Sequence, residues 1–124
     1  MNLNFETYWE LLALHKSLMA VKFDENDCLP EAQGSPFTAS VAFKVFDLLV
    51  MQCIEEGKKD QADDWLSWQK ADSSRIETKL LKKKILKSDW WLNAEATQKE
   101  KYIKDFMAPL ILTEEMFNEL IQYS

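Results

Sequence analysis

From Ser35 to Gly57 the chain reads SPFTASVAFKVFDLLVMQCIEEG, an apolar stretch with few interruptions. Ser35 suits an N-cap and Pro36 the first helical position, while Gly57 follows the last residues as a stop. The spacing predicts one helix over 36–56. Past its first turn the polar positions are Ser40, Lys44, Asp47, Gln52 and the closing Glu55–Glu56. Ser40, Lys44 and Asp47 share one narrow side; Val41, Phe43, Val45, Phe46, Leu48, Leu49, Val50, Cys53 and Ile54 cover the rest. A helix apolar nearly all round needs neighbours on most of its surface, so this one is expected to sit buried at the centre of the fold.

The flanking segments read as those neighbours. Over 4–21, with Asn4 as cap, Phe5, Tyr8, Leu12, His15 and Met19 make a stripe that Trp9, Leu11 and Leu18 widen. His15 lies on it as a buried or boundary histidine with one hydrogen-bond partner. Residues 22–35, KFDENDCLPEAQGS, form a long polar connector expected to cross the surface. Asp24 and Asn26 faintly suggest a calcium loop, but Leu29 holds the sixth position where glycine is required and Ser35 the twelfth where glutamate is required. After the short turn at Gly57–Asp60, Asp60 is expected to cap a helix over 61–71. That helix places Ala62, Trp65, Leu66 and Gln69 on one side with Trp68 beside them, and a link this short predicts an αα-hairpin.

Two capping-box spacings follow, Ser74 to Glu77 and Thr97 to Glu100. The first opens a helix expected to reach Lys87. The second opens one with Tyr102, Ile103, Phe106 and Met107 on its apolar face. Pro109 interrupts, and Thr113 caps a last helix whose Met116, Phe117, Leu120 and Ile121 point inward. The pattern as a whole predicts an all-α, single-domain bundle of about six helices over 1–124, packed around the 36–56 helix. No internal repeat at a fixed period is present.

Composition supports this reading. In 124 residues, 47% are apolar, which excludes disorder, and two glycines with three prolines are too few for a turn-rich β fold. The net charge of −6 is unevenly spread: residues 1–78 carry −7, residues 79–87 carry +5, and residues 88–124 carry −4. Acidic flanks and a single arginine, Arg75, argue against nucleic-acid or anionic-membrane partners. Cys28 and Cys53 have no metal-type spacing and are expected to remain free thiols in a reducing compartment, Cys28 reacting faster than a buried Cys53. No secretory signal is expected from MNLNFETYWELL, and no apolar run is expected to reach the ~18 residues that would span a membrane.

The chemistry of catalysis is thinly represented. One histidine excludes an HExxH helix, two isolated glycines make no phosphate-cradling loop, and no Glu-x-x-His is present. Glu55–Glu56, Asp63–Asp64 and Glu114–Glu115 are sequence neighbours that diverge by about 100° on a helix and cannot converge on a substrate. We expect no enzyme, no metal and no cofactor.

The segment that stands out is 79–92, KLLKKKILKSDWWL. A helix continuing past Ser88 sets Lys83, Lys87, Trp90, Trp91 and Leu80 on one side, and Leu81, Ile85 and Leu92 on the other, toward the core. Tryptophan beside cations is typical of binding surfaces. Lys83, Lys84, Lys87, Trp90 and Trp91 are therefore the candidate partner-binding residues. Adjacent tryptophans on a helix cannot both enter one core easily, so one of the two is expected outside. The bland alternative puts both indoles in the core and leaves the lysines an ordinary solvated face.

The lysine-rich 79–87, the Trp90–Trp91 pair and the acidic flanks give the chain, along its whole length, an overall look that resembles small helical inhibitor or immunity proteins of bacteria. An example is the inhibitor of the Legionella effectors MavC and MvcA. The resemblance assigns no individual residue a role. It implies a non-enzymatic protein that binds and blocks the substrate-recruiting surface of a partner enzyme, an effector or toxin, in the bacterial cytoplasm or after translocation into a host. Size, acidity and the missing catalytic groups also suit a secretion chaperone or adaptor for a basic client, or a phage-encoded inhibitor of host defence. Surplus apolar surface on few helices predicts a homodimer.

Overall fold

The computed structural model describes residues 1–122. It is an all-α bundle of seven α-helices: α1 (Tyr8–Lys22), α2 (Pro30–Gln33), α3 (Pro36–Glu55), α4 (Lys59–Gln69), α5 (Ile76–Lys87), α6 (Ala96–Met107) and α7 (Glu114–Ile121). A 3-10 turn at Trp91–Asn93 precedes α6. Two residues after α4, β1 (Lys70–Ala71), pair in parallel with β2 (Ile111–Leu112).

α3 is the hub, packing against α1, α4 and α6. Ser35 caps it as expected, accepting from the backbone N–H groups of Phe37 and Thr38, and Gly57 closes the turn at φ 74°, the left-handed region glycine tolerates. The αα-hairpin of α3 and α4 is also present. The expected all-round burial of α3 is not. Ala39, Ala42, Val45, Phe46, Leu49 and Cys53 are buried, but Phe37, Val41, Leu48, Met51 and Ile54 are exposed along the opposite side. The other six helices among the described residues are too few and too short to surround this 20-residue helix completely. Against the expectation that no apolar run is long enough, α3 is by length and composition apolar enough to cross a membrane, because its few polar residues are spread through a 20-residue helix.

Two apolar clusters fill the interior. One joins Tyr8 and Leu11 of α1 to Val45, Leu49 and Cys53 of α3 and Ala62 of α4. The other joins Leu81 and Ile85 of α5, Trp91 of the 3-10 turn, Ile103 and Phe106 of α6, and Met116 and Leu120 of α7. Between them His15 stacks edge-on with Trp65 and Trp68, centroids 5.2 and 5.1 Å away, and lies 6.2 Å from Phe46. The imidazole is buried as expected, but its Nδ1 has no hydrogen-bond partner. Burial, helped by Lys16, lowers its pKa below 6.5 and holds it neutral.

The ends of the helices differ from the sequence expectation in ways that polar chemistry explains. α1 starts at Tyr8 with Thr7, not Asn4, as its cap. Tyr8 then accepts hydrogen bonds from Gln61 Nε2 and Trp65 Nε1, both at 3.1 Å, tying α1 to α4. α4 begins at Lys59 without an Asp60 cap and gives way to β1, whose Ala71 carbonyl accepts from Thr113 N at 3.1 Å. Ser74 spends its hydroxyl on Asp72, so Arg75 takes the N-cap position of α5. Glu95 and Gln98 form the capping box of α6, two residues before the Thr97 box that the spacing predicts. Thr113 caps α7 as expected, accepting from Met116 N.

The 22–35 connector is built rather than loose. Asp24 accepts from the N–H groups of Asn26 and Cys28, and the one-turn α2 is the helix missing from the expected six. Lys22, fully buried, donates from Nζ to the carbonyls of Asp105 at 2.7 Å and Gln33 at 3.4 Å. Asp105 lies four residues before Pro109, which has no N–H to continue the α6 ladder, so the lysine supplies the missing donor. Gln33 is buried too and donates to the carbonyl of Asp24 at 2.9 Å. Cys28 is exposed and Cys53 buried, both free.

Candidate partner-binding site

The expected continuation of α5 past Ser88 does not occur. α5 ends at Lys87, Ser88 turns to an extended conformation, and Trp90 leads into the 3-10 turn. This break decides the fate of each candidate. Trp91 drops into the core at 1% exposure, under Lys99, whose Nζ lies 5.2 Å from the ring centroid. It is therefore not a surface anchor. Trp90 stays 43% exposed. The expectation that the pair divides between core and surface holds, but the cause is a chain turn and not the 100° step of a continuous helix. Leu80 is buried rather than beside the lysines, and Leu92 is exposed rather than in the core.

The lysines also divide. Lys84 forms an ion pair with Asp27 and is only partly accessible, fastening the connector to α5. Burial first and Lys87 second lower its pKa, with Asp24 opposing. Lys84 is thus engaged within the fold and leaves the partner-facing set. Lys83 and Lys87 are exposed.

What surrounds Trp90 is a groove of about 630 Å³ between the start of α3 and the face of α6. Gly34 and Pro36 line one side; Trp90, Asn93, Tyr102 and Lys101 line the other. Trp90 is held by edge-on contacts to Trp91 at 5.5 Å and Tyr102 at 5.2 Å, and Trp91 also meets Tyr102 at 6.2 Å. Tyr102 stacks in turn on Phe106 of the core. Gly34 lies directly against the Tyr102 ring: a Cβ there would approach Tyr102 Cε2 to 3.3 Å, closer than an ordinary contact. Burial raises the Tyr102 pKa, so the phenol is neutral at physiological pH. Lys101 and Asp105 pair across the lining at 2.7 Å. The result is an aromatic wall with a rigid backing and a polar rim, suited to an apolar or aromatic side chain of a partner.

Tyr102, Gly34 and Pro36 belong to this groove but not to the sequence-derived site. Tyr102 carried only a core-face signal, and Gly34 and Pro36 read as loop and helix start. Nothing in a single chain places 34–36 against 90–105. A second, more apolar hollow of about 450 Å³ lies among Phe43 of α3, Met107 and Lys104 of α6, Ile111 and Phe117. Neither hollow contains His15 or a cysteine. Among the described residues no three His, Cys, Asp or Glu side chains converge as metal ligands.

No protein-family model matches the chain, and no curated protein or solved structure matches it significantly.

Proposed function

We propose that this protein is a non-enzymatic protein-binding module whose partner docks at the Trp90 groove, and that its task is to bind and block an enzyme, a bacterial effector or toxin. The observation that supports the docking site is the state of Trp90: an indole 43% exposed yet clamped by two further rings that connect it to the core. A half-exposed, pre-ordered tryptophan loses little conformational entropy on binding, and residues of this kind dominate interface energetics. Lys83 and Lys87, exposed on the preceding helix, provide steering for an acidic partner surface. The inhibitory role draws on the small acidic helical build and on a sequence with one histidine and no nucleophile motif around it.

The test uses the wild-type protein and Trp90→Ala as paired baits in extracts of the native host, followed by titration calorimetry and activity assays with the captured enzyme. Wild type is expected to bind and inhibit. Trp90→Ala is expected to lose on the order of 2 kcal/mol of affinity or more while melting near the wild-type temperature. Lys83→Glu with Lys87→Glu is expected to slow association and flatten its salt dependence. A partner that binds Trp90→Ala as tightly as wild type places the interface elsewhere, and one whose activity is unchanged on binding excludes the inhibitory role.

A further inference from the structure

The outer side of α3 is an apolar stripe left exposed among the described residues. Phe37 at 81%, Met51 at 53% and Ile54 at 58% exposure span the helix, with Val41 and Leu48 exposed between them. In a 20-residue helix this is a face about 30 Å long. Its mid-section carries two opposite charges, Lys44 and Asp47, both exposed. Neither has an ion-pair partner among the described residues.

We infer that this face is a self-association surface, and that a second copy of the chain packs its own α3 against it antiparallel. Three features identify the occupant. A two-fold axis running between the two α3 helices, at the level between Val45 and Phe46, sets each residue at the height of the one equally far beyond that level. That register brings Lys44 against Asp47 of the second copy, twice over, and Phe37 against Ile54 of the second copy, so charge and apolar bulk are both self-complementary, as a two-fold interface requires. Facing stripes of this length remove on the order of 1,000 Å² in total, the lower bound of a specific interface, which fits a weak, reversible dimer. A membrane is a poorer occupant, because it would have to desolvate Lys44 and Asp47 without pairing them. The inference stands apart from the Trp90 groove: its diagnostic residues lie in the middle of α3, and Trp90→Ala is expected to leave self-association unchanged.

Sedimentation velocity on the full chain, from low micromolar to several hundred micromolar, tests it. Wild type is expected to move from 14.5 kDa toward twice that mass. Leu48→Glu, at an exposed position, is expected to stay monomeric with an unchanged melting temperature. Lys44→Asp and Asp47→Lys, each alone, set like charges face to face and are expected to raise the dimer dissociation constant at least tenfold. An equimolar mixture of these two variants restores two opposite-charge contacts and is expected to recover the wild-type affinity as a heterodimer. A wild-type monomer at every concentration overturns the inference, and a monomer that co-floats with anionic vesicles reassigns the face to lipid. A Leu48→Glu dimer as tight as wild type overturns the surface, and a mixture no tighter than its components overturns the antiparallel register.

Discussion

Replacing Lys22 with methionine probes the least typical group in the core. Its ammonium is fully buried and caps the carbonyls of Gln33 and Asp105, so it serves the C-terminal ends of α2 and α6 at once. Burial pulls its pKa down from 10.5 to about 8, with the Asp105 carboxylate pulling the other way. The sign follows from proton linkage. The unfolded chain holds the Lys22 proton more tightly than the folded one, so the contribution of this group rises with pH, is complete above 10.5 and is lost as pH falls to about 8. At about 1.4 kcal/mol per pH unit the whole window is worth about 3 kcal/mol, and about 2 kcal/mol of it falls between pH 7 and pH 9.5. Lys22→Met fills the same space, removes the titration and leaves two carbonyls without their donor, each at a cost of about 1–3 kcal/mol. Urea unfolding followed by tryptophan fluorescence, at both pH values, gives the comparison. The wild-type advantage over Lys22→Met is expected to widen by about 2 kcal/mol on going to pH 9.5, with other titrating groups cancelling between the two proteins. A gap that stays constant with pH refutes the reasoning.

The remaining predictions concern the core and its thiols. His15, neutral in its cage of Trp65, Trp68 and Phe46, has its pKa lowered, so its contribution is full above pH 6.5 and is lost as pH falls below it. His15→Phe is expected to flatten the acid limb of the stability–pH curve, and an unchanged limb assigns acid sensitivity to other groups. Phe46→Ala and Leu49→Ala, both at essentially zero exposure, are each expected to destabilise by about 2–5 kcal/mol in chemical denaturation. Trp91→Ala is expected to cost about 3–5 kcal/mol where Trp90→Ala costs little, and equal losses would contradict the division of the pair. Thiol titration of the native protein is expected to label Cys28 well before Cys53. Cys28 is exposed although Asp24 raises its pKa through a hydrogen bond, whereas Cys53 is buried; equal slow labelling would count against this.

The sequence by itself determined what depends on neighbours within a few residues. The all-α class, the Ser35 cap and Gly57 stop of α3, the α3–α4 hairpin and the Thr113 cap all come from periodicity and capping chemistry, which are local. It also led to the expectation that Trp90 and Trp91 divide between core and surface, although by the roughly 100° step of a helix that does not continue there. Tertiary structure decided which of them is outside, because that depends on where α5 stops and which way Ser88 turns the chain. Competition among polar groups shifted other helix ends: once Asp72 engages Ser74 and Glu95 pairs with Gln98, the Ser74 and Thr97 capping boxes lose their role. Lys22 looked like the first residue of a polar connector, and only the meeting of α1, α2 and α6 around the carbonyl left free by Pro109 makes it a core residue. The exposed side of α3 follows the same logic. Apolar character shows that a helix face gains by leaving water, but only the number and placement of neighbouring helices decides which part of that face this chain can cover itself.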